Sequence, residues 1–364
     1  MSIHHFADKA LIHCNDTKGG TGREEESTLK QLLRITILLI GFIWLLAWAA
    51  AGRFDDVRAP ADENTSPAPS GEILSPGERD SAKRLRIQIQ GQVQEMDMGT
   101  YLLGVLRAEM PASFEEEALK AQAIAARTYT LYRIRGGGGS ANHPDADACD
   151  DHTCCKAYLS AEQAAANWGS MAVYYEEKLA RAVRETDGEV LLYDGVPILA
   201  VFFSSADGST QGAGDVWLND LPYLRKVESP EDEALVPNYY STASFTAEEF
   251  KSLVLRAYPN ADLSGDASTW VRDIVRNDSD YVASVTVGGV KMRGNDLRTL
   301  LSLRSPSFTV ECKNNAFTFH VTGYGHGVGM SQYGANALAK EGYSAEEIVQ
   351  HYFSDTTVGY YDAP

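Results

Sequence analysis

Glu109 closes an apolar stretch that runs from about Thr100 and is followed at once by Met110 and Pro111. Proline cannot continue a helix, so this carboxyl group falls in a helix's last turn. A helix C-terminus disfavours negative charge. A carboxyl group that is also buried there leans toward its protonated form and suits a general acid. An ordinary exposed glutamate is the competing reading. Lys120 and Arg127 lie two turns apart on the next helix with Ile124 between them, so they share one face. Two long cations there can line a polar groove or rim a core with their apolar stems.

Thiols and imidazoles gather in His143-Pro-Asp-Ala-Asp-Ala-Cys149-Asp-Asp-His152-Thr-Cys154-Cys155. Zinc takes four such ligands in a tetrahedron, and a short loop can supply them. A disulfide competes in an oxidising compartment, although neighbours such as Cys154 and Cys155 cannot easily pair with each other. Four protein ligands would leave no position open for water, which makes a metal here structural. A second dense signal is Gly323-Tyr324-Gly325-His326-Gly327-Val328-Gly329-Met330-Ser331-Gln332-Tyr333-Gly334. Alternating glycines let a backbone approach a ligand, and a helix capped by Ser331 offers free amides. A tight turn around a structural histidine is equally compatible. The run fits no nucleotide-binding glycine pattern, and the chain lacks H-E-x-x-H and G-x-S-x-G, which lowers the metalloprotease and serine hydrolase readings.

These groups need elements to hold them. Leu85, Ile87 and Ile89 alternate with polar residues before Gly91-Gln92, which predicts a hairpin. Helices are predicted from about Thr100 to Met110 and from a capping box at Ser113-x-x-Glu116 to the glycines at Gly136. Val190 to Tyr193 and Val196 to Phe203 flank Asp194-Gly195, a two-residue hairpin signal. Thr246-x-x-Glu249 and Ser344-x-x-Glu347 cap further helices, and Val282 to Val287, Phe308 to Val310 and Phe317 to Val321 read as strands. Helices and strands are mixed without regular alternation or repeat, so the fold class is α+β, one catalytic domain with a central groove.

The 364 residues, 44 % hydrophobic and 23 % charged, suffice for one large domain with appendages. With 32 basic against 50 acidic side chains, net −18, the surface does not suit nucleic acid. The uncharged run Ile35 to Ala51, between Arg34 and Arg53, is long enough for one membrane helix with both arginines snorkelling. A signal peptide cleaved near Ala47-Trp48-Ala49 is the competing reading, and the long leader before the run favours an anchor. The expected layout is a cytoplasmic tail (1–34), a transmembrane helix (35–51), a flexible Pro/Ser/Ala/acid-rich linker (52–83) and an extracytoplasmic domain (84–364).

Four stretches in order, Tyr101 to Tyr129, Phe202 to Val227 with Asp215-Val-Trp217 and Pro222-Tyr-Leu-Arg225, Gly294 to Phe308, and Gly323 to Gly334, resemble the stage II sporulation protein D family. That family comprises lytic transglycosylases acting on peptidoglycan during engulfment in spore formers. The resemblance implies that Glu109 is the catalytic acid and that Lys120, Arg127, Tyr223 and Arg225 contact glycan, with Tyr324, His326 and Gln332 as further contacts. It implies structural zinc on His143, Cys149, Cys154 and Cys155. Relatives carry a histidine where this chain has Cys154, so His152 is a substitute ligand to consider. Phe202 to Ser209 also departs from a Ser- and Gly-richer pattern. Implied partners are peptidoglycan glycan strands, a wall amidase and a membrane protein of the engulfment machinery. The family is similar to amidase enhancers too, in which Glu109 would be structural and the protein would stimulate an amidase without catalysis.

Overall fold

A computed structural model describes residues 74–136, 142–217 and 219–362. The apolar run 35–51 and the tail before it lie outside these residues; among the described residues no helix is long and apolar enough to cross a membrane. Helix α1 (Glu78–Ala82) leads into the hairpin β1 (Arg84–Ile89) and β2 (Gln92–Asp97), then helices α2 (Met98–Glu109) and α3 (Glu116–Arg135). The hairpin turns at Gln90-Gly91, φ 50° and 78°, one residue earlier than expected. Strand β3 (Ala148–Cys149) adds parallel to β1, and helices α4 (Ala161–Trp168) and α5 (Ala172–Glu185) follow. After them come β4 (Glu189–Tyr193), β5 (Val196–Pro197), β6 (Phe202–Phe203) and the short helix α6 (Ala213–Val216).

The core of this part forms around α3, which packs against α2, α5 and β4. Leu119, Ile124 and the alanines at 118, 121, 123, 125 and 126 are buried, and a helix apolar on most sides can sit inside a domain. Its start departs from the predicted capping box. Helix α3 begins at Glu116 with Glu115 as N-cap and no side-chain cap. The Glu115 amide instead donates to Asn336 Oδ1 at 2.8 Å, a partner remote in sequence. The expected strand Val196 to Phe203 is also broken. Pro197 withholds an amide, and the Ala200 and Val201 amides fold back onto Ile198 and Leu199.

Residues 240–322 build a second core. Strand β7 (Tyr240–Thr246) precedes helix α7 (Ala247–Ala257), with the predicted capping box at Thr246 and Glu249. Strands β8 (Val271–Arg276), β9 (Val282–Val287) and β10 (Val290–Arg293) form one sheet, and helix α8 (Gly294–Leu301) follows. Strands β11 (Phe308–Lys313) and β12 (Ala316–Thr322) join β7 in the order β11-β12-β7. Phe250, Phe317 and Phe319 stack between them. The chain then returns through β13 (Met330–Ser331), which pairs with β6, to α9 (Gln332–Lys340), α10 (Ala345–Tyr352) and β14 (Thr357–Tyr360) on β4. Helices α9 and α10 complete the packing around α3. The mixture fits the α+β class.

The folded region starts before residue 84, so the expected linker ends too late. Asp80 in α1 is 2 % exposed and receives both Nε and Nη2 of Arg127, at 2.8 and 2.7 Å. Arg127 is itself 1 % exposed and donates to the Glu189 carbonyl at 3.0 Å. It is therefore a buried ion-pair residue that ties α1 to α3, and the expectation that it lines a groove is corrected. Removing one member of such a pair strands a charge in the core. Asp80→Ala is expected to lower unfolding free energy by ~3–5 kcal/mol, read from denaturant midpoints.

Candidate active site

Met110 leaves helical geometry at φ −113° and ψ 136°, which ends α2 just after Glu109. Oε1 of Glu109 accepts a hydrogen bond from the Ala157 amide at 3.1 Å. The residue before that amide is Lys156, which the sequence gives little reason to single out beyond its place directly after the two cysteines. It is 8 % exposed, and its Nζ lies 3.6 Å from the Phe202 ring centre and 4.2 Å from that of Tyr129. Burial pulls its amine down to about 8, against the opposing pull of the Glu109 carboxylate. The Glu109 carboxylate thus acts on a cation from the loop after α3.

His326 belongs to the same cluster. Its ring is centred 5.5 Å from Phe203 and 6.0 Å from Trp217. Burial, then the charges of Lys156 and Arg298, push the ring down to about 3. The Val328 amide donates to Nδ1 at 3.1 Å, which leaves the proton of the neutral ring on Nε2. His326 is thus a neutral hydrogen-bonding group at physiological pH. Because its folded value lies below the unfolded 6.5, the unfolded chain binds this proton first as pH falls. Its effect on stability is absent above that value and increasingly unfavourable down to about 3. Proton-detected titration should show no His326 transition between about pH 5 and 8.

The glycine loop that carries His326 serves mainly the protein's own packing. A Cβ on Gly329 (φ +77°) would lie 2.2 Å from the Val201 carbonyl oxygen, and one on Gly327 (φ +79°) 2.7 Å from Gln211 Nε2. Gln211 is buried; its amide donates to Gly327 O at 2.6 Å and its side chain to His326 O at 3.0 Å. Ser331 caps α9 through the Gly334 amide, as expected, and donates to Glu231 at 2.5 Å. Gln211 and Glu231 thus hold the loop, although no motif marks them in the sequence.

The other candidates are dispersed. Tyr324 is 43 % exposed under the Arg304 guanidinium, 3.9 Å from its ring centre, on the loop that holds His326. Gln332 is 6 % exposed at the start of α9, and among the described residues its Nε2 has no partner. Lys120 is engaged by Glu117 at 2.8 Å and Glu185 at 2.6 Å. Tyr223 is buried beside Tyr193, and its hydroxyl accepts from the Leu199 amide at 3.3 Å, so it supports the fold. Arg225 is exposed, donates to Pro222 O, and lines a surface hollow with Asp215, Asp220 and Asn277. The largely apolar cavity of about 340 Å³ beside Leu103, Trp168 and Val173 contains none of these residues.

The donor atoms of His143, Cys149, Cys154 and Cys155 lie within 4.8 Å of one another and can hold a metal ion. Strand β3 places Cys149 by pairing with Gln88 of β1. His143 Nδ1 donates to the Ala146 carbonyl at 3.0 Å, which turns Nε2 to within 3.2 Å of Cys155 Sγ. Burial pushes the Cys155 thiol up to about 12, and a bound cation opposes that by favouring thiolate. No disulfide joins the described cysteines Cys149, Cys154, Cys155 and Cys312. His152 is exposed and outside the cluster, and Cys154 is its fourth member.

A family profile described as Stage II sporulation protein matches residues 88–193, from β1 to the end of β4. That span holds Glu109, Lys156 and the four-donor cluster. The chain is 38 % identical over 274 residues to stage II sporulation protein D of Bacillus subtilis (strain 168), covering 74 % of this chain and 77 % of that protein. It is 36 % identical over 273 residues to stage II sporulation protein D of Bacillus amyloliquefaciens, covering 74 % and 76 %. The amidase enhancer of Bacillus subtilis (strain 168) is 28 % identical over 310 residues, 71 % of this chain and 40 % of that protein. On identity and coverage together, the chain belongs to the stage II sporulation protein D family.

Proposed function

We propose that the protein is a peptidoglycan lytic transglycosylase of endospore engulfment. It cleaves the bond between N-acetylmuramic acid (MurNAc) and N-acetylglucosamine (GlcNAc), leaving 1,6-anhydro-MurNAc ends. The observation that carries the reading is the Glu109 carboxyl group at the end of α2, with Oε1 held by the Ala157 amide. Hydrolytic glycosidases ordinarily need two carboxyl groups flanking the bond. A transglycosylase needs one, because the sugar supplies its own nucleophile.

Protonated Glu109 gives its proton to the linking oxygen as the bond to muramic C1 breaks, leaving an oxocarbenium-like sugar. The carboxylate then takes the proton of the sugar's 6-hydroxyl as O6 bonds to C1, and Glu109 is restored. The Ala157 amide holds Oε1 in place. Tyr324, with Arg304 on its face, offers an exposed surface for a sugar ring.

Zinc suits the donor set of three thiols and one imidazole. Two of its separations, 3.9 Å between Cys154 and Cys155 sulfurs and 3.2 Å from Cys155 sulfur to His143 Nε2, are near the roughly 3.5–3.8 Å edges of a tetrahedral site. With every position taken by protein, the ion serves structure and leaves the chemistry to Glu109. The apolar run at 35–51 supports a single-pass anchor with the domain outside the membrane, near peptidoglycan, a wall amidase and a membrane partner.

The similarity to an amidase enhancer favours a second reading, in which the groove binds wall material and stimulates an amidase. Product analysis separates the two. Purified glycan strands treated with the protein should yield fragments with anhydro ends by mass spectrometry. Intact strands, together with faster release by an added amidase, would instead support the enhancer reading.

A further inference from the structure

We infer that Arg298 and Arg304 form a subsite beside Tyr324 for a carboxylate carried by the muramic acid units of the glycan. This deepens the reading above and rests on it for the ligand being peptidoglycan. The stretch Gly294 to Phe308 is family-like in sequence, yet the proton transfers at Glu109 use none of its residues. Arg298, near the end of α8, donates from Nε to the Arg304 carbonyl at 3.1 Å, and the Gly325 amide donates to that same oxygen at 2.8 Å. One acceptor therefore pins the Arg298 guanidinium against the glycine loop, one residue before His326. The Arg304 guanidinium lies over Tyr324, its carbon 3.9 Å from the ring centre. Tyr324 in turn exchanges two backbone hydrogen bonds with Ser205, at 2.9 and 3.0 Å, which fix the base of the ring.

Both arginines are half-buried, and neither forms an ion pair among the described residues. Acids outnumber bases 50 to 32, and arginines buried elsewhere find them, Arg107 with Glu176 and Arg127 with Asp80. Acids in the neighbouring segments are committed to hydroxyls, Asp207 to that of Ser307 and Glu231 to that of Ser331. Arg304 Nη2 donates to the Pro237 carbonyl at 3.3 Å, and among the described residues its Nε has no partner. A cation without an anion in a partly desolvated place is costly, and a ligand that brings the anion removes that cost. The planar fork of a guanidinium matches a carboxylate through two parallel N–H bonds. Muramic acid carries such a group, on its lactyl arm where the strand is free of peptide and on the stem peptide where it is not. N-acetylglucosamine carries none, so with a sugar against Tyr324 the two arginines distinguish which sugar lies there.

The test measures binding of the full-length protein, in a Glu109→Gln background so that strands stay uncut, to three forms of purified glycan. These are peptide-free strands, the same strands with their carboxylates converted to neutral amides, and peptide-bearing strands. The free-acid strands should bind about 10- to 100-fold more tightly than the amidated ones. Arg304→Gln should erase most of that difference by weakening the free-acid form alone, and Arg298→Gln should do the same. Thermal midpoints are measured alongside, and Arg304→Gln decides if Arg298→Gln lowers its midpoint. Peptide-bearing strands that bind as tightly and weaken with the same variants put the carboxylate on the peptide, whereas poor binding puts it on the lactyl arm. Equal binding of free-acid and amidated strands, or variants that weaken both alike, overturns the subsite and leaves the arginines a packing role. If the protein with Glu109 intact releases no anhydro ends while the arginine-dependent difference persists, the transglycosylase reading falls and the subsite stands.

Discussion

Glu109→Gln should abolish release of anhydro ends, by about 100- to 10,000-fold, while leaving the fold unchanged. The amide is nearly isosteric, and its carbonyl oxygen can still accept from the Ala157 amide. What it cannot do is deliver and recover a proton. The contrast with Asp80 is instructive, because both are carboxylates that accept from a donor of the protein. Asp80 lies in a sealed ion pair with Arg127, so its loss should appear in the denaturant midpoint. Glu109 is only partly buried and hydrogen-bonded to one amide, so its loss should appear in turnover and hardly in stability. A Glu109→Gln protein with undiminished release would remove this residue from the chemistry.

Removing the zinc that we propose for the four-donor cluster should have the second largest effect, on both stability and activity. Cys155 of the cluster is bonded directly to Lys156, and Ala157 follows, so the donors and the amide that holds Glu109 share one short segment. Stripping zinc with a chelator, or replacing Cys149 with Ser, leaves buried thiols and an imidazole without the ion that draws them together. Structural zinc contributes on the order of 10 kcal/mol in small domains, and part of that stabilisation should be lost here. Residues 143–157 should lose protection from hydrogen exchange, the thermal midpoint should fall, and release should drop on the order of 100-fold as that amide loses its place. Re-addition of zinc should restore all three. A metal-free protein with parental melting and turnover would contradict a structural role.

Local signals in the sequence were dependable where the physics is local. The proline after Met110, the capping boxes at Thr246 and Ser344, and the Asp194-Gly195 turn (φ 50° and 75°) all act within a few residues. The cluster was legible because its residues occupy one short loop, in which Cys154, and not His152, lies with the other three. Partners distant in sequence were not legible. Asp80 lies in a segment whose composition reads as spacer, and only its contact with Arg127 shows that the fold begins there. Lys120 and Arg127 share a helix face, yet each meets a carboxylate outside that face's periodicity, Glu185 and Asp80 respectively. The Ser113 box failed because Asn336, from the far end of the chain, caps the Glu115 amide in its place.

The glycine run shows the same limit. Alternating glycines correctly mark a backbone under close approach, but the approaching groups are Val201 and Gln211 of the protein itself. The run also carries His326, held neutral by burial and by the charges of Lys156 and Arg298. Lys156 had no motif of its own. It became visible through the rings of Tyr129 and Phe202, which α3 and β6 bring to it from either side in sequence.

The central claim is that one carboxyl group suffices because the sugar closes on itself. It is tested most directly by digesting purified glycan strands in heavy-oxygen water and weighing the new muramic ends. The account predicts ends lighter than reducing ends by one water and free of heavy oxygen, with none formed by Glu109→Gln. Reducing ends that carry the heavy oxygen would contradict it, because solvent would then be the nucleophile and a second activating group would have to exist.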